Sequence, residues 1–203
     1  EKTKNDFKKF TQQILKFWGT APFKKYHFII HLLPYSYYHG VEHLKNTVIV
    51  LGPNTQIMTK LYNELLGVAS HELFHAWNIK TIRPKQMFPY NYYTENYSEL
   101  GFIYEGFTTY YGDKLLWQSG IFNDDEFFNC INERLNRHFI NYGKFSQSLL
   151  NSSIDTWVDG YANHASFSGK PADHSARCRG NPGRFPGAES AAGAWPVAAG
   201  LPG

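Results

Sequence analysis

Two histidines four positions apart, with a glutamate directly after the first, make up the segment His71-Glu72-Leu73-Phe74-His75. On a helix, residues four apart share one face at a separation of about 6 Å, so His71 and His75 can grip one zinc ion from the same side. Glu72 then lies beside them, placed as the general base of a metallopeptidase, the group that takes a proton from the attacking water. Nine histidines and ten glutamates scattered at random over 203 positions would produce this pentad roughly once in fifty sequences. The competing reading is a pair of hydrogen-bonded core histidines that share the spacing by coincidence.

A zinc site wants a further protein ligand, and a carboxylate from a following helix meets that need. Glu105, in Tyr104-Glu105-Gly106, lies at the start of a predicted helix that can pack antiparallel to the first. Glu95 and Glu99 are rivals, but they fall in or at the edge of a loop, where ligand geometry is less well fixed. A second segment, His39-Gly40-Val41-Glu42-His43, matches the inverted zinc pattern H-x-x-E-H. That pattern needs a helix, whereas this stretch contains Gly40 and falls between two predicted strands, which argues against a zinc site there. Extended geometry instead aims Glu42 from a strand edge, where its carboxylate could receive a substrate's α-ammonium group.

The elements that must position these groups are legible in outline. Phe7, Phe10, Ile14 and Phe17 recur at helical spacing and predict an opening amphipathic helix that ends at Thr20-Ala21-Pro22. Residues 26–33 read as a strand, 34–40 as turn-like, and the β-branched run 47–51 as a second strand closed by Gly52-Pro53-Asn54. Residues 57–77 read as one helix, with Leu61, Leu65, Val68, Phe74 and Trp77 apolar and only Gly67 weakening it. Residues 100–117 and 124–142 read as two more. Between them and the zinc helix lies an aromatic loop, 84–97, of a length that is often functional. The fold class expected is α+β, mostly helical after an N-terminal strand region.

Composition narrows the function classes. The chain of 203 residues is 42% hydrophobic and 17% aromatic, and 20 Lys+Arg against 17 Asp+Glu leave a formal charge of +3. That charge is too small and scattered for a phosphate-tracking surface, so nucleic acid is not an expected partner. No apolar run approaches the roughly 20 residues needed to span a bilayer. Two cysteines, Cys130 and Cys178, make no disulfide framework. The chain opens at Glu1 without a recognisable leader, which decides nothing about compartment. Composition also breaks abruptly after Asn163. The last 40 residues hold 7 Gly, 9 Ala and 5 Pro, a mixture without a periodic apolar face. The expected organisation is therefore a catalytic domain over 1–163 and an unstructured Gly/Ala/Pro-rich tail over 164–203. The swing from AT-rich to GC-rich codon types suggests a frameshift or foreign join near Asn163, with a native low-complexity linker as the alternative.

The segments His71-Glu-Leu-Phe-His-Ala-Trp-Asn-Ile-Lys-Thr-Ile-Arg-Pro84 and Tyr104-Glu-Gly-Phe-Thr-Thr-Tyr-Tyr111 resemble the signature blocks of the glycyl aminopeptidase family of gluzincin metallopeptidases. Gly40-Val-Glu-His43 resembles that family's Gly-Leu-Glu-His segment, and Ser153-Ile-Asp-Thr-Trp157 its Ser-x-Asp-x-Trp block. The four blocks occur in family order across roughly 26–161. The resemblance implies a thermolysin-like domain with one zinc per chain held by His71, His75 and Glu105, a water activated by Glu72, and a peptide substrate cleaved after an N-terminal glycine- or alanine-type residue. Capture of the ammonium group by Glu42 would make the site an aminopeptidase, and without it the same site would be an endopeptidase. Family members usually add an N-terminal β-rich domain and a PDZ domain, and neither is visible here. A Tyr-Tyr-x-Lys-Gly block expected after the Ser-x-Asp-x-Trp segment is also absent, which leaves an inactive fragment that binds zinc or peptide as the alternative function. Thr109 is a candidate support for a zinc-bound imidazole. Trp77, Asn78 and Arg83 read as packing and loop-anchoring groups. Tyr92, Tyr93 and Tyr97 either line a substrate cleft or cover a core edge.

Overall fold

Seventeen residues of helix α1, Lys2–Trp18, open the chain. Asp6, Phe10 and Ile14 fall at i, i+4 and i+8 and form its buried stripe. The computed structural model describes residues 1–162, with side chains through residue 156. The expected Gly/Ala/Pro-rich tail, 164–203, lies outside the described residues.

Three strands follow: β1 (His27–Leu32), β2 (Tyr37–Glu42) and β3 (Asn46–Gly52). They form one sheet in the order β1-β3-β2, with β1 parallel and β2 antiparallel to the central strand. Strand β2 corrects the turn-like reading of residues 34–40. Pro34 and Gly40 are residues that interrupt strands, but Gly40 sits inside the ladder, paired with Ile49. A strand-interior glycine marks a close approach by another group, and the group here is Glu72. On β3 the buried residues Thr47, Ile49 and Leu51 alternate with half-buried ones. Register places Glu42 opposite Thr47 and Gly40 opposite Ile49, so both β2 residues share the core face with them.

Helix α2, Tyr62–Phe74, is shorter than the predicted span 57–77. A short 3₁₀ turn at Asn54–Gln56 precedes it, and the N–H groups of Thr59 and Leu61 both bond to the Gln56 carbonyl, which holds 57–61 in turns. At the other end, three-residue bonds from Ala76 to Leu73 and from Trp77 to Phe74 tighten the chain out of the α-helical pattern. His75 keeps right-handed helical angles as the closing residue. Leu65, Leu66, Val68, Ala69, Ser70, Glu72, Leu73 and Phe74 are all buried, as befits a central helix wrapped on most sides.

Helix α3, Gly101–Gln118, runs antiparallel to α2. Ser70 meets Gly112, His71 meets Thr109 and Asn78 meets Tyr104, so partners descend α3 as α2 is ascended. The Ser70 hydroxyl donates to the Gly112 carbonyl at 2.8 Å. A side chain on Gly112 would pack directly on the His71 backbone, at 3.4 Å. Phe74 stacks on Tyr111 and Trp18 on Trp77, which join α1, α2 and α3 in one aromatic core. Helix α4, Asp124–Ile140, starts in a full capping box made by Asn123 and Glu126.

Helix α5, Leu149–Ala162, packs against α3. Its Ser153 hydroxyl accepts from the Phe102 N–H at 3.1 Å, which satisfies an otherwise orphaned donor in the first turn of α3. Among the described residues, five helices and one three-stranded sheet, packed chiefly against α2, make a mixed architecture of the α+β kind expected. Among the described residues no helix is long and apolar enough to cross a membrane.

Candidate metal centre

The antiparallel pairing of α2 and α3 brings His71, His75 and Glu105 together, with one ligand atom from each within 4.8 Å of the others. The two Nε2 atoms lie 2.9 Å apart, and each is 3.4 Å from Oε2 of Glu105. His75 and Glu105 are buried, while the His71 side chain is 17% exposed. The rivals Glu95 and Glu99 are exposed and take no part in the cluster.

Each imidazole is held by its other nitrogen. Nδ1 of His75 lies 2.7 Å from the Asn78 carbonyl, and Nδ1 of His71 lies 3.4 Å from the Thr109 hydroxyl. This leaves both Nε2 atoms turned toward Glu105, the arrangement in which a neutral histidine ligates a metal. The Asn78 amide donates to the Tyr104 carbonyl and to the Thr108 hydroxyl, which ties the turn after α2 to α3. Its carbonyl is thereby an orienting partner of His75, a role that the sequence reading as a loop anchor missed. The only available signal was its position three residues after the second histidine. Trp77 packs on Trp18 and donates to the Thr20 carbonyl, and Arg83 donates to the Lys80 carbonyl, in keeping with packing and anchoring roles.

The donor set fits a cation. Burial pushes the Glu105 carboxyl up, but His75 and His71 outweigh that and hold it down to about 2. Burial pushes His75 down, and Glu105 more than reverses it, to about 9. Burial and the neighbouring His75 both lower His71. Neither oxygen of Glu105 accepts a hydrogen bond. A buried carboxylate facing two imidazole nitrogens suits a divalent cation, and two nitrogens with one oxygen are among the donor sets that zinc takes.

Glu72 is buried beside the cluster, on α2 between the two histidines in sequence. Burial holds its carboxyl well above the ordinary range. Its carboxylate lies against the bare α-carbon of Gly40 on β2. The Tyr26 hydroxyl donates to the Glu72 carbonyl at 3.2 Å and thereby links the start of β1 to α2. Glu42, on the same face of β2, is also buried, and its charge is felt at both Glu72 and His75. Lys80, which sequence reasoning did not single out, lies 2.8 Å by its Nζ from Oε1 of Glu42. His39 and His43 stand on β2 and just beyond it, outside the cluster. Tyr92, Tyr93 and Tyr97 are all exposed.

Comparison with known proteins bears on this geometry. The family model described as M61 glycyl aminopeptidase matches residues 64–174. The chain belongs to the glycyl aminopeptidase family. Among solved structures, the crystal structure of an aminopeptidase N family protein from Idiomarina loihiensis is similar, with a TM-score of 0.72 and 32% identity over 78% of this chain. The chain spans 28% of that protein's length. No curated protein matches. The glycyl aminopeptidase match includes His71, Glu72, His75 and Glu105, whereas Gly40 and Glu42 precede it.

Proposed function

We propose that this chain carries the catalytic centre of a zinc-dependent aminopeptidase with a thermolysin-like fold, residues 1–163 forming its catalytic domain. The observation that carries the reading is the largely buried triangle of two Nε2 atoms and the Glu105 carboxylate, with Glu72 beside it. His71, His75 and Glu105 would hold the ion. Zinc bound there supplies a Lewis acid and water of lowered pKa. Glu72 accepts a proton from the attacking water on its carboxylate and returns it to the leaving amine. Asn78 and Thr109 fix the two imidazole planes through Nδ1.

Glu42 receives the α-ammonium group of the peptide, which restricts cleavage to the first peptide bond. Charge-assisted pairing in a buried site is worth roughly 1.5 to 3 kcal/mol, enough to discriminate a free amine from an acetylated one by one to two orders of magnitude. The family resemblance points to a small first residue of glycine or alanine type. The test compares release of the first residue from free-amine and N-acetylated peptides by the zinc-loaded chain and by Glu72→Gln. Cleavage of the free-amine peptide alone, lost in the variant, is the expected result. Cleavage of both peptides would make the site an endopeptidase, and zinc uptake without cleavage would leave a binding fragment.

A further inference from the structure

We propose that Lys80 is a positioning residue for amine selection: its ammonium clamps one oxygen of Glu42 and so leaves the other to receive the peptide's α-ammonium group. This rests on the reading of Glu42 given above.

Three observations carry it. The Glu42 side chain is 2% exposed, and a carboxylate so far from water needs a compensating partner. Lys80 supplies it at Oε1, 2.8 Å away, whereas Oε2 is buried and accepts no hydrogen bond. A lysine ammonium is a compact point charge that can occupy one carboxylate oxygen, so the pair is built with a second acceptor to spare. Finally, Lys80 is anchored to the metal cluster, because its backbone N–H donates to the His75 carbonyl at 3.0 Å. The clamp therefore holds Glu42 relative to the same turn that ends in a ligand. Substrate amine and zinc would be held at a fixed separation, which decides which peptide bond meets Glu72. The Lys80 side chain is itself 28% exposed, so it reaches the buried carboxylate from the solvent side.

The experiment measures binding in the zinc-loaded Glu72→Gln chain, which is expected to hold peptide without turning it over. Calorimetry compares an alanine-initiated tripeptide with its N-acetylated form. The expected free-amine preference is roughly ten-fold or more. Adding Lys80→Met is expected to reduce it to within about two-fold, through weaker binding of the free-amine peptide with the acetylated one unmoved. Lys80→Gln, which can offer a neutral hydrogen bond from the same position, should give an intermediate preference and carries the test if the Met variant does not fold. An unchanged preference in the Lys80 variants, or equal weakening of both peptides, overturns the proposal. Adding Glu42→Gln separates the two readings. If preference survives that change, the ammonium role of Glu42 falls and the clamp falls with it. If preference is lost there but kept in the Lys80 variants, only the clamp is overturned. Failure of the zinc-loaded chain to bind either peptide overturns both.

Discussion

A methyl group on Gly40 would sit 2.1 Å from Oε1 of Glu72 and 2.8 Å from a methyl of Val68. Strand β2 thus approaches α2 where the Glu72 carboxylate, the proposed base, lies, and a glycine is what permits it. Gly40→Ala is expected to displace the Glu72 carboxylate, because the neighbouring strand is held by its ladder to β3. Turnover should fall by roughly a hundred-fold or more, the scale of a lost general base, while zinc content stays unchanged. Paired assays of kcat and bound zinc check this, and full activity in the variant would show that Glu72 does not need the space.

The orienting role of Asn78 predicts a metal phenotype away from the ligands. Its side chain anchors the turn whose carbonyl accepts from His75. Asn78→Ala should weaken zinc binding by about ten-fold or more, within the usual range for such partners. Competition with a chromophoric chelator measures it, and wild-type affinity in the variant would reduce Asn78 to a loop anchor.

The cap that α5 places on α3 predicts a stability effect. Ser153 accepts from the Phe102 N–H and donates to the Leu149 carbonyl at 2.7 Å. Ser153→Ala should cost about 1 kcal/mol, as loss of a helix cap does. Chemical denaturation reads this directly, and a change below a few tenths would mean that solvent satisfies the first turn of α3 equally well.

An acid-sensitive contact ties α1 to α2. Lys2 and the Tyr62 hydroxyl each donate to Oδ2 of Asp6 at 2.7 Å. Burial pushes the Asp6 carboxyl up, but these two hydrogen bonds outweigh it and leave it below its ordinary value of 3.8. A folded-state pKa that is depressed gives stability that is fully present above the ordinary value and is lost as pH falls through the folded one. The wild-type chain should therefore lose more stability between neutral pH and about pH 3 than Asp6→Asn does. Denaturant midpoints at the two pH values decide it, and parallel losses would remove Asp6 from the acid response.

Much of the centre was legible because its chemistry is written at short range. The four-residue spacing of His71 and His75 survives even though α2 ends at Phe74, since His75 keeps helical angles. Glu105 could be singled out from Glu95 and Glu99 because it falls on a helix that must pack against the first. Thr109 followed from helical spacing after Glu105. Strand β2 was hidden because Pro34 and Gly40 punctuate a strand locally, and the glycine is explained by its close approach to Glu72 and Val68 on α2. Helix α5 went unassigned because Asn151, Ser152 and Ser153 favour caps and turns, while the cap that Ser153 gives the first turn of α3 is a contact distant in sequence. The pairing of Lys80 with Glu42 joins a turn to a strand distant in sequence, and no local pattern announces it.

The proposed function stands on His71, His75 and Glu105 together holding one zinc ion. Elemental analysis of the chain purified with zinc, combined with X-ray absorption at the zinc edge, tests it most directly. The expected result is one equivalent per chain with two imidazole nitrogens and a carboxylate oxygen at about 2.0 to 2.2 Å, and its loss in both His75→Ala and Glu105→Ala. Full zinc occupancy retained in either variant, or a spectrum without imidazole scattering, would contradict it.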